Sequence, residues 1–540
     1  MFPVLRAGWC NRMDSTPTTE TAIDPPHPTG AAAGLFRRVS NPRILNRHLL
    51  NIALLVVLPI VLAETLNANL GLVQDPDIWW HLADARLLSS THHFIQTEPY
   101  SFTVMGQRWV NPEWLSELPY WFSYRALGLR GIYLVTWLVL CANCLLVYWR
   151  SYREARNADA AFWSACLGFV LMTVNSGPRT IAMGYVAMSV ELLILEAAGR
   201  GNRRLLWLLP PLFCIWINLH GSWVIGFALL ALHIGCGLFR VHIGGLEQDP
   251  TPAAERNRFL LVLLACVAAL MINPYGWRLV WNPFDMMLNQ NVNIATVREW
   301  RPLQLGTLEA TTIVVIIALM VLANLKRGRK WKLYELAVVF FAWYAAFDHI
   351  RFSFLAAVLV APALAIDFAR SFSSEPDPKT IPAMNGLIAA GALCFIAFMF
   401  PSESALQKKL SLAFPLQTIE SIEPAWRTFD LDYVGGMMAF ESKPSLIDSR
   451  LDIFEHHEVL QRYLSAMNLV DSLEVLDYYR IDHVLVQERQ PISYLLKHTV
   501  GWRLVRTEKA SADNYVLYAR DTGVAGTTHS DTKTPIEANR

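Results

Sequence analysis

Long stretches of this chain carry almost no charge, and its ionisable residues collect between them. That alternation leaves few folds open. A helix that crosses a bilayer needs roughly 20 consecutive apolar residues, fewer if its ends are buried in protein. Apolar runs fall near 49–66, 131–149, 160–175, 180–198, 204–219, 221–240, 258–272, 310–325, 333–347, 350–366 and 382–400. In lipid only helices and closed barrels satisfy their own backbone polar groups. The runs therefore predict a polytopic α-helical membrane protein of about eleven spans. Several runs are short, and the pairs at 160–198, 204–240 and 333–366 have almost no linker. Re-entrant segments are the alternative there.

Basic residues set the orientation. Cytoplasmic loops carry an excess of Lys and Arg. Arg150, Arg153 and Arg156 open the series, followed by Arg200, Arg203 and Arg204, then Arg240, Arg256 and Arg258. Lys326, Arg327, Arg329, Lys330 and Lys332 come next, then Arg370 and Lys379. Residues 1–48 are rich in Pro, Thr and Ala and contain Arg37, Arg38, Arg43 and Arg47, which reads as a disordered cytoplasmic leader. An odd number of spans then puts residues 401–540 outside. Of the 540 residues 54% are hydrophobic and 17% charged, against about a quarter charged in soluble chains. The net charge of +1 creates no global field, so nucleic-acid binding has no support. All cysteines but Cys10 sit in apolar runs, including the pair Cys141 and Cys144, and read as small buried hydrophobes.

The outer segments are polar in a different way. They read QDPDIWWH (74–81), NPEWLSE (111–117), NSGPR (175–179), NLHGSW (218–223), NPYGW (273–277), EWRP (299–302) and FDHIR (347–351). Such residues near the membrane are costly and usually functional, so their collection on one face predicts one site there. In the first outer loop, 67–130, Asp75-Pro76-Asp77 precedes a helix near 78–88 whose Trp79 and Trp80 suit a membrane interface. Asp75 and Pro76 also read as an ordinary helix start. Asn111-Pro112-Glu113 repeats the signal before a helix near 112–125, with Trp114, Leu118, Trp121 and Phe122 on one face. Both helices are expected to lie flat at the headgroup level.

After residue 400 the apolar runs shorten to strand length, at Ser445–Ile447, His483–Val486 and Asn514–Tyr518, with helical patterns at Val459–Met467 and Leu473–Tyr479 between them. Residues 401–520 read as a small extramembrane α/β domain, and 521–540 as a disordered tail. Asp448, Arg450 and Asp452 form either a polar rim facing the membrane site or a salt-bridged strand end. Gly435-Gly436 reads as a turn.

Together these motifs resemble the membrane glycosyltransferases of the GT-C fold, and a bacterial group of multi-pass proteins related to them. The likeness rests on D-P-D-x-W-W-H-L (75–82), E-P-Y-S-F-T (98–103) with W-V-N-P-E-W-L (109–115), W-x-N-L-H-G (216–221), N-P-Y-G (273–276), E-W-R-P (299–302) and H-I-R-F (349–352). In the tail D-Y-V-G-G (432–436) and L-I-D-S-R-L-D-I-F (446–454) continue it. It covers roughly residues 45–520. The resemblance implies a bacterial inner-membrane enzyme with its tail in the periplasm and a donor sugar on a polyprenyl phosphate. It also implies an acidic residue in the first outer loop that acts as base or helps hold a metal. That residue maps onto Asp75 or Asp77. Many relatives have His where this chain has Asn111-Pro112 ahead of Glu113.

Sugar transfer needs a base near the acceptor hydroxyl and a stabiliser for the leaving phosphate. A carboxylate serves the first need and the planar fork of Arg the second. Arg179, Arg301 and Arg351 are the outer-face candidates, Arg351 first. Each has a local alternative: a helix start for Arg179, a pair with Glu299 for Arg301, a pair with Asp348 for Arg351. His81, Glu113, His220 and His349 complete the substrate-binding candidates, although His220 also reads as a turn cap. Asp75 and Asp77 could share a divalent metal ion, but no further metal signature supports it. Either Asp and Arg351 should share one outward cavity, within roughly 15 Å of each other. A transporter, a lipid-binding protein and an envelope assembly factor are the competing readings. No pair of related halves with broken helices marks a transporter. Neither the sugar, the acceptor nor the oligomeric state is written in the sequence.

Overall fold

The computed structural model describes residues 42–65, 73–173, 177–371, 382–510 and 513–521. The leader as far as residue 41, Lys379, Asn175 and the tail from residue 522 lie outside the described residues. The chain enters through α1 (Pro42–Thr65). The first outer loop carries α2 (Asp77–Thr91) and α3 (Trp114–Leu127). Then follow α4 (Leu129–Ala155), α5 (Ala158–Met172), α6 (Ile181–Gly199), α7 (Leu209–Leu219), α8 (Trp223–Cys236) and α9 (Ala253–Leu270). The series continues with α10 (Trp277–Asn289), α11 (Leu308–Lys326), α12 (Leu333–Asp348), α13 (Ser353–Ser371) and α14 (Pro382–Met399).

Among the described residues, five helices are long and apolar enough to cross a membrane: Leu129–Ala155, Ile181–Gly199, Leu308–Lys326, Ile350–Ser371 and Pro382–Met399. The expectation of about eleven spans is corrected accordingly, since full crossings need roughly 20 residues. The other apolar runs do form helices, but α5, α7, α8 and α12 have 15, 11, 14 and 16 residues. Helix α9 reaches 18 residues but spends its first turns on Glu255, Arg256 and Arg258. The molecule is a largely α-helical polytopic membrane protein with a β-containing C-terminal domain.

Helix α13 is the hub of the membrane layer. It packs against α5 and α4, and its Ala356, Ala357, Ala361 and Ala365 let backbones approach closely, as membrane packing favours. The Ser164 hydroxyl donates to the Ala361 carbonyl, and Arg150 reaches the Val358 carbonyl at 2.7 Å while pairing with Glu196.

The tail holds a four-stranded sheet in the order β1–β2–β4–β3, where β1 is Thr428–Phe429, β2 His483–Gln487, β3 Trp502–Glu508 and β4 Tyr515–Arg520. The β1/β2 pair is parallel and the other two are antiparallel. Strands near 483 and 515 match the sequence reading. The run Ser445–Ile447 is not a strand: Ser445 makes a single bridge to Ser101 of the first outer loop. Gly435 and Gly436 are not a turn but part of helix α15 (Asp432–Phe440), which packs on α2. A Cβ on Gly436 would lie 2.6 Å from the Pro76 carbonyl, so only glycine permits this approach.

The first outer loop therefore belongs to the core of the tail. Trp79 and Trp80 are 1% and 7% exposed, in one apolar cluster with Phe414, Met437 and Phe440. Their reading as membrane-interface anchors is corrected: the tail covers them. Ser101 and Thr103 hydroxyls both donate to the Leu446 carbonyl, at 2.8 and 2.6 Å.

Candidate active site

Helix α2 starts where the Asp75 carboxylate accepts the Asp77 N–H at 3.1 Å, the turn that Asp favours before a helix. Its other oxygen accepts from Arg179 Nε at 2.9 Å. Gly177 makes room for this pair, since a Cβ there would stand 3.0 Å from Asp75 Oδ2. The far side of the Arg179 guanidinium lies 2.6 Å from Glu299 Oε1 and 4.0 Å from Asp77 Oδ2. Burial alone would make this guanidinium easier to deprotonate, but Asp75, Glu299 and Asp77 more than offset that and hold it charged.

A second group forms between α2, α3 and the α7–α8 turn. Trp114 donates to Asn218 Oδ1 and Ser116 to the Leu219 carbonyl, which ties the start of α3 to the end of α7. This places Glu113 against two imidazoles. His81 Nε2 is 3.4 Å from Glu113 Oε2 and His220 Nε2 is 3.3 Å from Oε1, while Thr180 donates to Oε2 at 2.7 Å. Burial pushes the Glu113 carboxyl up, against the opposing pull of His81 and Thr180. Burial pushes His220 down to about 3 and lowers His81 as well, so both rings are neutral near pH 7.

These groups line one cavity of about 210 Å³. Asp77, His81, Glu113, Arg179, His220 and Arg351 all contribute to it. Asp75 stands behind Arg179 rather than on the wall. Arg351 lies over the Trp300 ring with its Cζ 4.1 Å from the centroid. Two further sequence candidates stay outside. Arg301 is exposed, and its backbone carbonyl accepts the Ile350 N–H at 3.0 Å. His349 pairs with Asp348 at 3.0 Å and meets Trp300 edge-on. Glu299, read from sequence as a partner of Arg301, serves Arg179 instead.

The tail closes the cavity with Arg450 and Asp452. Arg450 is buried between Asp448, at 2.5 Å, and Glu98 of the first outer loop, at 2.7 Å, and its guanidinium lies over Trp109. The sequence signal was the Asp448-x-Arg450-x-Asp452 alternation, but nothing local pointed to Glu98. Asp452 belongs to the same wall, and burial raises its carboxyl to about 6.

The residues fit a divalent ion poorly. Arg179 stands between Asp75 and Asp77, where a shared cation would sit, and both Asp75 oxygens already have donors. Among the described residues no group of three or more His, Cys, Asp or Glu is arranged to hold a metal.

No family model and no curated protein matches the chain. Solved structures do. An oligosaccharyltransferase of Archaeoglobus fulgidus, tethered to an acceptor peptide containing an NVT sequon, aligns with a TM-score of 0.53 at 12% identity, over 81% of this chain and 69% of that one. The same enzyme in its apo form aligns at 0.50 with the same identity and coverage. At that identity the likeness establishes the architecture: the chain has the GT-C-type, multi-pass fold of an oligosaccharyltransferase.

Proposed function

We propose that this chain is a membrane glycosyltransferase that moves a sugar from a polyprenyl-phosphate donor to a glycan, lipid or protein acceptor on the outer, periplasmic face. The observation that carries the reading is the convergence of acids and guanidinium groups on one cavity. Asp77, Glu113, Arg179 and Arg351 arrive there from four separate segments of chain. A cavity that offers both signs of charge suits a reaction in which a hydroxyl loses a proton while a phosphate gains charge.

The acceptor hydroxyl oxygen attacks the anomeric carbon. The bond from that carbon to the phosphate oxygen breaks, and polyprenyl phosphate leaves with the electron pair. Asp77 takes the hydroxyl proton, because it faces the cavity without a short ion pair, whereas Asp75 is committed to Arg179 and orients it. Arg351 and Arg179 stabilise the leaving phosphate through their planar forks. Glu113, held by His81 and His220, receives a sugar hydroxyl. The basic loops on the opposite side support an inside N-terminus and an outside tail.

The test is a transfer assay in proteoliposomes with polyprenyl-phosphate-linked sugars. Asp77→Asn should lower kcat by about 100-fold or more, the scale of a lost general base. Asp75→Asn should raise the donor KM as Arg179 loses its orientation. Wild-type rates from both variants would return the two Asp residues to helix-start roles alone.

A further inference from the structure

We propose that Glu117 rests as a neutral carboxylic acid, and that by donating to His81 it fixes the imidazole tautomer that keeps Glu113 an ionised acceptor in the cavity. The consequence for substrate rests on the glycosyl-transfer reading, whereas the protonation chemistry stands without it.

Spacing creates the arrangement. His81 and Asp84 are three apart on α2, and Glu113 and Glu117 are four apart at the start of α3, so each pair shares a helix face. The two faces meet. Glu117 is 1% exposed, with Oε1 2.9 Å from His81 Nδ1. The Asn111 amide donates to both oxygens of Glu117, at 2.8 and 3.0 Å, and to Asp84 Oδ2 at 3.1 Å. One amide thus joins two buried carboxyl groups, and neighbouring carboxylates away from water do not both ionise. The groups facing Glu117 are His81 and Asp84 on α2, Glu113 ahead of α3, Tyr275 from the turn after α9, and Arg450 from the tail. Arg450, the cation among them, is already bound by Asp448 and Glu98. Burial lifts the Glu117 carboxyl to about 8 and that of Asp84 well above the carboxylate range.

The tautomers follow from their partners. His220 Nδ1 accepts the Ser222 N–H at 2.9 Å, so the proton of this neutral ring sits on Nε2 and points at Glu113. A protonated Glu117 donates to His81 Nδ1 and leaves the His81 proton on Nε2, which also points at Glu113. Glu113 then lies among three donors, the third being Thr180. An ionised Glu117 draws the His81 proton to Nδ1 and turns a lone pair toward Glu113. Glu113 must then take up a proton or shift, and its grip on a sugar hydroxyl weakens. Glu117 is a positioning residue, not a catalytic one.

Infrared difference spectra of the purified full chain between pH 7 and pH 9.5 test the chemistry. The wild type should lose a protonated carboxyl band that Glu117→Gln never shows. Asp84→Asn, which removes a neighbouring acid that stays neutral over this range, should keep the band and its loss. A Glu117→Gln difference spectrum identical to wild type, or an Asp84→Asn spectrum without the band, overturns the proposal. In the transfer assay the substrate KM should rise about tenfold by pH 9, as one ionising group near pH 8 requires. With Glu117→Gln, whose amide donates to His81 at any pH, KM should stay flat over the same interval. A wild-type band without transfer of any sugar would sink the proposed function and keep the tautomer device. Transfer without the band would do the reverse.

Discussion

The described residues form two apolar cores that are sorted by different rules. In the membrane layer the outward surface is as apolar as the inside: α14 is only 11% buried, and its Phe398 is 83% exposed. Lipid provides no hydrophobic drive between helices, so what distinguishes the interior is small residues and polar pairs such as Arg150 with Glu196. In the outer core, built jointly from the first loop and the tail, water does the sorting. Trp79, Phe429 and Phe454 are inside, and the buried Arg450 pairs with both Asp448 and Glu98. Apolarity therefore locates residues in the outer core but not in the membrane layer. The candidate site lies on the seam between them.

Substitutions can break that contrast, and the largest effect should come from charge. Arg450→Met leaves Glu98 and Asp448 buried without their cation, a loss of about 3–5 kcal/mol. Thermal melts followed by limited proteolysis should show the tail opening while the membrane helices persist. A single shared transition at the wild-type temperature would mean that the two cores are not separately held. Gly436→Ala should cost about 1–3 kcal/mol, because its methyl meets the Pro76 carbonyl and backbone has to move. The same melts read this out, and a neutral result would show that α15 can slide on α2. Phe398→Ala sharpens the contrast from the other side. Its ring faces lipid, so the melting curve should shift by no more than about 0.5 kcal/mol, despite the loss of a large aromatic group.

The same contrast explains what could be read in advance. Basic loops and apolar runs located the membrane helices, because charge is costly in lipid wherever it falls. They did not give the lengths: α5 and α8 end short of a crossing although their runs look like their neighbours. Asp77, Glu113, Arg179, His220 and Arg351 stood out as polar residues at the ends of apolar segments, and the fold gathers them in one cavity. Arg450 paired with Glu98 did not stand out, since the partners are 352 residues apart and no local pattern joins them. Trp79 and Trp80 misled for a physical reason. An indole suits a lipid interface and a protein core equally well, and only the docking of α15 decides between them. Asn111 read as a missing histidine, but its amide bridges two acids.

The contact between Ser101 and Leu446 joins positions 345 residues apart. At a synthesis rate of about 5–20 residues per second, the first loop emerges some tens of seconds before the segment that covers it exists. During that interval most of the membrane helices are made and inserted. Trp79, Trp80 and Trp109 meanwhile have no tail to pack against, and Glu98 waits for its arginine. The nascent loop thus passes through a stage in which its indoles are uncovered and its buried acid is unpaired. The candidate cavity is completed late in the chain's production, after nearly every other part is in place.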